Sequence, residues 1–195
     1  MKVGVLALQG AVREHLRALE GVGVEACAVK SAARLVGLDG LVLPGGESTT
    51  MSLLAEGRLL EALRVLSSGG FPMFGTCAGM ILLADEVEGR EGPIVGGIDI
   101  TVARNASGRQ VDSFETLLDI EGLGPDVPAV FIRAPYVTRV GPDVRVLARH
   151  EGMAVMARQG RILVASFHPE LTEDLRVHRA FVDMIRELRR EGEQG

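Results

Sequence analysis

The chain has 195 residues, 47% hydrophobic and 24% charged, the profile of a globular protein forming one domain over residues 1–195 with a substantial core. Its net charge is −5 and no basic tract occurs, so electrostatics give no support for nucleic-acid binding. No apolar run approaches the roughly 18 residues that span a bilayer, and the first one is too short for a secretory leader. The two cysteines, Cys27 and Cys77, therefore read as reduced thiols of a cytoplasmic protein rather than as a disulfide. For Cys27 a structural thiol is the default.

Residues 3–8 form a continuous apolar run closed by Gly10, which predicts a strand buried on both faces. Val12, Leu16 and Leu19 follow at helical spacing, ending at Gly21 and Gly23. Further strands are predicted at residues 24–29 and at 41–43, the latter closed by Pro44-Gly45-Gly46. Ser48 or Thr49 can cap a helix running through Leu53 and Leu54 towards Leu66, with a break at Gly57. A fourth strand at residues 72–74 leads into a helix at 80–84. Strand and helix alternating at this pace predict an α/β protein: a three-layer sandwich around a mostly parallel sheet, with helices on both faces.

After Ala84 the texture changes. Short strand-like runs at 94–104, 117–120, 129–132, 145–148, 153–157 and 162–167 are separated by turn residues, as in an appended, partly antiparallel segment. From Leu171 onward a helical stripe of Leu175, His178, Phe181, Val182, Ile185 and Leu188 closes the chain.

The stretch with the most chemistry is residues 71–84, FPMFGTCAGMILLA. It sets Gly75-Thr76-Cys77-Ala78-Gly79 between a strand and a helix, the cysteine counterpart of a G-x-S-x-G nucleophile elbow. The glycines suit a turn too tight for side chains, and the start of the following helix favours thiolate on Cys77. A buried core cysteine is the plainer alternative.

In a parallel sheet the functional loops lie at the carboxyl ends of the strands. Two others carry chemistry. Pro44-Gly45-Gly46-Glu47-Ser48 could offer backbone N–H groups to an anion, and Ala78 after the nucleophile could offer a second. Ser166-Phe167-His168-Pro169-Glu170 follows an apolar run and supplies a base, His168, with a carboxylate two residues on that can fix its tautomer. His15 and His178 lie in helical patterns and His150 precedes Glu151-Gly152. Each reads as solvated or partly buried. No Cys or His pair has metal-ligand spacing, and Leu8-Gln9-Gly10 lacks a dinucleotide fingerprint, so neither metal nor cofactor is expected.

These motifs resemble the class I, triad-type glutamine amidotransferases, with a flavodoxin-like fold. Among them they resemble the glutaminase subunits of pyridoxal 5′-phosphate synthases. The likeness is carried by Gly4-Val-Leu-Ala-Leu-Gln-Gly10, Leu43-Pro-Gly-Gly-Glu-Ser-Thr-Thr50 and Gly75-Thr-Cys-Ala-Gly-Met80. It continues in Thr101-Val-Ala-Arg-Asn105, Gly108-Arg-Gln110 with Asp112-Ser-Phe-Glu115, Phe131-Ile-Arg-Ala-Pro135 and Ser166-Phe-His-Pro-Glu-Leu-Thr-Glu-Asp174. One departure is Ser107, where the family commonly has phenylalanine.

The resemblance implies that Cys77 attacks the side-chain amide of L-glutamine, with His168 as base and then acid, oriented by Glu170. It implies oxyanion donors at Gly46 and Ala78, and glutamine contacts at Gly46, Glu47, Ser48, Arg104, Ile132 and Arg133. It also implies a partner, a barrel-type synthase subunit that receives the ammonia, in a hetero-oligomer without nucleic acid or membrane. Two other readings stay open: a stand-alone cysteine hydrolase of γ-glutamyl compounds, and a non-catalytic flavodoxin-like binding module. An α/β-hydrolase is disfavoured, because there the acid precedes the histidine in the chain.

Overall fold

A computed structural model of the chain describes residues 1–46, 57–103 and 113–192. The first half alternates as expected: β1 (Lys2–Leu6), α1 (Val12–Gly21), β2 (Glu25–Val29), β3 (Gly40–Leu43), α2 (Arg58–Ser68), β4 (Met73–Thr76) and α3 (Ala78–Leu83). The start of the helix expected from Ser48 or Thr49 lies outside the described residues. Its later part is α2, which opens at Gly57, the residue marked as a break.

The second half is built from strands. In order they are β5 (Ala84–Val87), β6 (Ile98–Ala103), β7 (Phe114–Ile120), β8 (Gly124–Phe131), β9 (Tyr136–Val140), β10 (Arg145–His150), β11 (Met153–Gln159) and β12 (Ile162–Ala165). The chain then makes a 3₁₀ turn at Pro169–Leu171 and ends in α4 (Arg176–Gly192). Two short strands, β5 and β9, carried too little apolar alternation to be predicted. The strand expected at 94–104 begins only at Ile98. The last helix starts at Arg176 rather than Leu171: the 3₁₀ turn runs up to Leu171, and the Asp174 carboxylate accepts from the Arg176 N–H where the helix begins.

The central sheet has seven strands in the order β10-β11-β12-β4-β3-β1-β2. The pairs from β12 to β2 are parallel, and β10 and β11 add antiparallel strands at one edge. A three-stranded sheet, β5-β6-β9, and a two-stranded hairpin, β7-β8, stand apart from it. The appended segment is thus mixed: β5 and β6 are parallel, whereas β6-β9 and β7-β8 are antiparallel.

Side chains alternate across each central strand and so feed two cores. Leu41, Leu43, Met73, Ile162 and Val164 pack with Leu59 and Leu63 of α2, with α3 and with the three-stranded sheet. Val42, Phe74, Leu163 and Ala165 pack with Leu19 of α1, with Phe181 and Val182 of α4, and with the hairpin. Both faces are covered, which is why these strands read as continuous apolar runs. The arrangement brings the carboxyl ends of β1, β3, β4 and β12 to one rim of the sheet, where the loops of interest emerge.

Candidate active site

Strand β4 ends at Thr76 and α3 begins at Ala78, so Cys77 alone makes the turn, with φ 48° and ψ −106°. A non-glycine residue in such a conformation costs about 1–3 kcal/mol, and it persists only where its surroundings hold it. Here the Cys77 N–H donates to the Ala165 carbonyl at 2.8 Å, tying the elbow to the end of β12. The Cys77 carbonyl accepts from the N–H of Met80 at 3.0 Å. A Cβ on Gly75 would lie 2.5 Å from the carbonyl of Gly79, and one on Gly79 would run into the backbone carbonyl of Leu43. The two glycines are therefore required by backbone-to-backbone contact on either side of the nucleophile position, as the motif predicts.

His168 follows the end of β12, and its N–H donates to the Val130 carbonyl of the hairpin at 2.8 Å. The 3₁₀ turn at Pro169–Leu171 brings the Glu170 side chain back alongside, with Oε1 2.8 Å from His168 Nδ1. Both residues are buried, as is Cys77. Burial is the largest single influence on the His168 imidazole and opposes its charging. Hydrogen bonds to Cys77 and Glu170, and the charges of both, together outweigh it and push the imidazole up to about 10. His168 is accordingly held as imidazolium through the neutral range.

Gly45 presses against this centre from the PGG loop. A Cβ there would stand 2.9 Å from His168 Nδ1 and 3.3 Å from Cys77 Cβ. Gly46 continues the loop at φ 148°, and Ala78 opens α3 with an N–H that has no acceptor inside the helix. From the segment after β8, the Ile132 carbonyl faces Cys77 Sγ at 3.9 Å, and Arg133 holds a φ of 44°. Arg133 lines a cavity with Phe114, Phe131, Tyr136, His150 and Ser166, whose walls include neither Cys77 nor His168. Glu47, Ser48, Arg104 and Ser107 lie outside the described residues.

Two of the histidines differ from the sequence expectation. His15 and His178 are neither solvated nor partly buried; both are withdrawn completely from solvent. His15 Nδ1 is 2.9 Å from His178 Nε2, and its Nε2 is 3.0 Å from Thr76 Oγ1 and 3.4 Å from Glu170 Oε2. The signal was present in the spacing: Val12, His15, Leu16 and Leu19 lie at i, i+3, i+4 and i+7, so His15 shares the apolar face of α1. His178 stands in the same relation to Phe181, Val182 and Ile185 in α4. His150 ends β10 half-buried, stacked on Phe114 and Phe131 with centroids 5.2 and 5.7 Å away.

Fold and elbow together define an α/β protein that presents a cysteine to a buried histidine–carboxylate pair at the carboxyl rim of its sheet. The family model of the SNO glutamine amidotransferases matches residues 5–187. The chain is 59% identical over 189 residues to a pyridoxal 5′-phosphate synthase subunit PdxT of Parafrankia sp., covering 95% of this chain and 93% of that one. It is 55% identical over 190 residues to the subunit PdxT of Brevibacillus brevis, covering 97% of this chain and all (100%) of the relative. A solved structure of a glutamine amidotransferase superposes with a TM-score of 0.88 at 50% identity, over 94% of this chain and 98% of that chain. The chain belongs to the SNO glutamine amidotransferase family.

Proposed function

We propose that the chain, as one domain over residues 1–195, hydrolyses L-glutamine to L-glutamate and ammonia in the cytoplasm. The ammonia passes to a barrel-type synthase subunit that makes pyridoxal 5′-phosphate from a pentose phosphate and a triose phosphate. What carries the reading is the buried His168–Glu170 pair, 2.8 Å apart, beside the elbow cysteine in a chain of this family. The unpaired state of Cys27 and Cys77 suits a reducing compartment.

In this reading the Cys77 proton resides on His168, and the thiolate attacks the amide carbon of glutamine. The resulting oxyanion accepts hydrogen bonds from the N–H groups of Gly46 and Ala78. His168 gives its proton to the departing nitrogen, ammonia leaves, and a glutamyl thioester remains. Water then attacks the thioester carbon and yields a proton to His168, and the carbon–sulfur bond breaks to release glutamate. Glu170 keeps the imidazole in the required tautomer and balances its charge. By family resemblance, Gly46, Glu47, Ser48, Arg104, Ile132 and Arg133 hold the substrate. An arginine suits its α-carboxylate because the guanidinium can grip both oxygens.

The test is glutamate release from glutamine, measured with and without the barrel synthase. Cys77→Ala should abolish release in the complex, and a glutamine-like alkylating agent should add one label to Cys77 of the wild type. Wild-type rates in Cys77→Ala would refute the thioester. Robust hydrolysis of γ-glutamyl peptides without a partner would favour the stand-alone hydrolase, and an unlabelled Cys77 would favour the binding module.

A further inference from the structure

Glu170 has one carboxylate oxygen committed to His168, whereas its Oε2 is fully buried and has no hydrogen bond of its own. A buried carboxylate oxygen without a donor is costly. The group that approaches it is His15 Nε2, at 3.4 Å. The same nitrogen lies 3.0 Å from Thr76 Oγ1, on the residue immediately before Cys77. His15 thus touches both ends of the centre, the backbone neighbour of the cysteine and the carboxylate behind the histidine.

The tautomer follows from the partners. His15 Nδ1 faces His178 Nε2, so one of the two nitrogens donates and the other accepts. If His178 Nε2–H donates, His15 carries its own proton on Nε2, hydrogen-bonded to Thr76 Oγ1 with Glu170 Oε2 alongside at 3.4 Å. His178 Nδ1, which is buried without a partner, is then a bare lone pair. In the reverse arrangement a lone pair of His15 would face the Glu170 carboxylate and His178 would bury an unpaired N–H. The first arrangement avoids both penalties. Neither imidazole is charged. Burial and the neighbouring His178 and His168 hold His15 well below the ordinary histidine value, and burial lowers His178 to about 4.

We propose that His15 is a positioning residue of the glutaminase centre: its Nε2–H, locked by His178, braces Glu170 Oε2 and Thr76 Oγ1 and so fixes the carboxylate that orients His168. This rests on the reading of Cys77, His168 and Glu170 as the catalytic set. It adds a relay that begins on α4, crosses α1 and ends at the loop after β12. The brace joins Glu170 and the elbow, two groups that otherwise reach the site on separate strands.

The experiment has two independent arms. In the wild-type chain, imidazole ¹⁵N NMR between pH 5.5 and 8 should show His15 and His178 neutral and protonated on Nε2. A charged His15, or one protonated on Nδ1, overturns the proposal whatever the activity is. In the complex with the synthase, His15→Leu should lower kcat for glutamate release by roughly 10- to 100-fold with little change in KM. His15→Gln, whose amide nitrogen can occupy the Nε2 position, should recover most of the loss. Wild-type kcat in a folded His15→Leu, or no rescue by His15→Gln, would overturn it. Failure of the catalytic reading itself would show separately, as undiminished release by Cys77→Ala.

Discussion

His168 Nδ1 and Glu170 Oε1 stand 2.8 Å apart across a single proline, and their side chains are only 9% and 0% exposed. An ion pair withdrawn this far from water depends on both partners, because either one left alone is a buried, uncompensated charge. Replacing Glu170 by glutamine keeps the shape and removes the charge. Glu170→Gln should bring the His168 pKa down from about 10, read by imidazole NMR, and lower kcat for glutamine hydrolysis on the order of 10²–10⁴-fold. An unchanged titration of His168 would mean that the carboxylate is not what holds the proton there.

Gly45 makes a second relationship testable. Its missing side chain leaves room for the His168 ring, and a methyl group would meet Nδ1 at 2.9 Å and Cε1 more closely still. The ring cannot retreat freely, since Glu170 holds the same nitrogen. Gly45→Ala should therefore displace the imidazole, and a displacement of about 1 Å can lower a rate by about 10²-fold. The stability loss should stay within the roughly 1–3 kcal/mol usual for overpacking. Thermal unfolding and glutamate release measured on the same sample separate the two effects. A large loss of stability with full activity would contradict the placement.

Arg176, at the start of α4, links the hairpin to the rest of the fold. Its guanidinium donates to the carbonyls of Leu123 at 3.3 Å, Pro125 at 2.9 Å and Asp126 at 2.9 Å, and to the Asp174 carboxylate. The hydrogen bond from Arg176 holds the Asp174 carboxyl below its usual range. Because β8 carries the Val130 carbonyl that accepts from His168, loosening the hairpin should be felt at the site. Arg176→Ala should speed amide hydrogen exchange in β7 and β8 while leaving β1, β3 and β4 protected. Uniform exchange across all these strands would instead indicate a global effect.

How legible all this was in the sequence follows from burial. The central strands announced themselves because both faces of the sheet are covered, so Leu41-Val42-Leu43 and Ile162–Ala165 are apolar throughout. Strands β5 and β9 did not, since Asp85, Glu86, Thr138 and Arg139 interrupt them with polar groups that find partners elsewhere in the small sheet and its loops. The elbow and the His-x-Glu segment were readable because the residues that carry the chemistry are close in the chain. His15 was not. Its partners Thr76, Glu170 and His178 are 61 or more residues away, so local spacing shows which face His15 shares but not what it binds. The helical spacing placed it inside; only the packing of α1 against β4 and α4 gives it something to bind.

The same buried histidines give the protein a pH dependence whose sign can be worked out. His178 is lowered to about 4 and His15 well below 6.5, both chiefly by burial, so unfolding lets each take up a proton below about pH 6.5. Between about pH 6.5 and 4 the unfolded chain binds more protons than the folded one, and stability falls as the pH falls. Each such histidine contributes up to about 1.4 kcal/mol per pH unit. His168 acts in the opposite sense. With its pKa raised to about 10, the stability it confers is complete below about pH 6.5 and is lost as the pH rises through 10. The chain should therefore be most stable near neutrality. Urea unfolding as a function of pH should show His178→Gln with an acid limb shallower by about one proton and an alkaline limb unchanged. An acid limb of wild-type slope in that variant would mean that His178 already accepts a proton in the folded chain, and that α4 does not keep it dry.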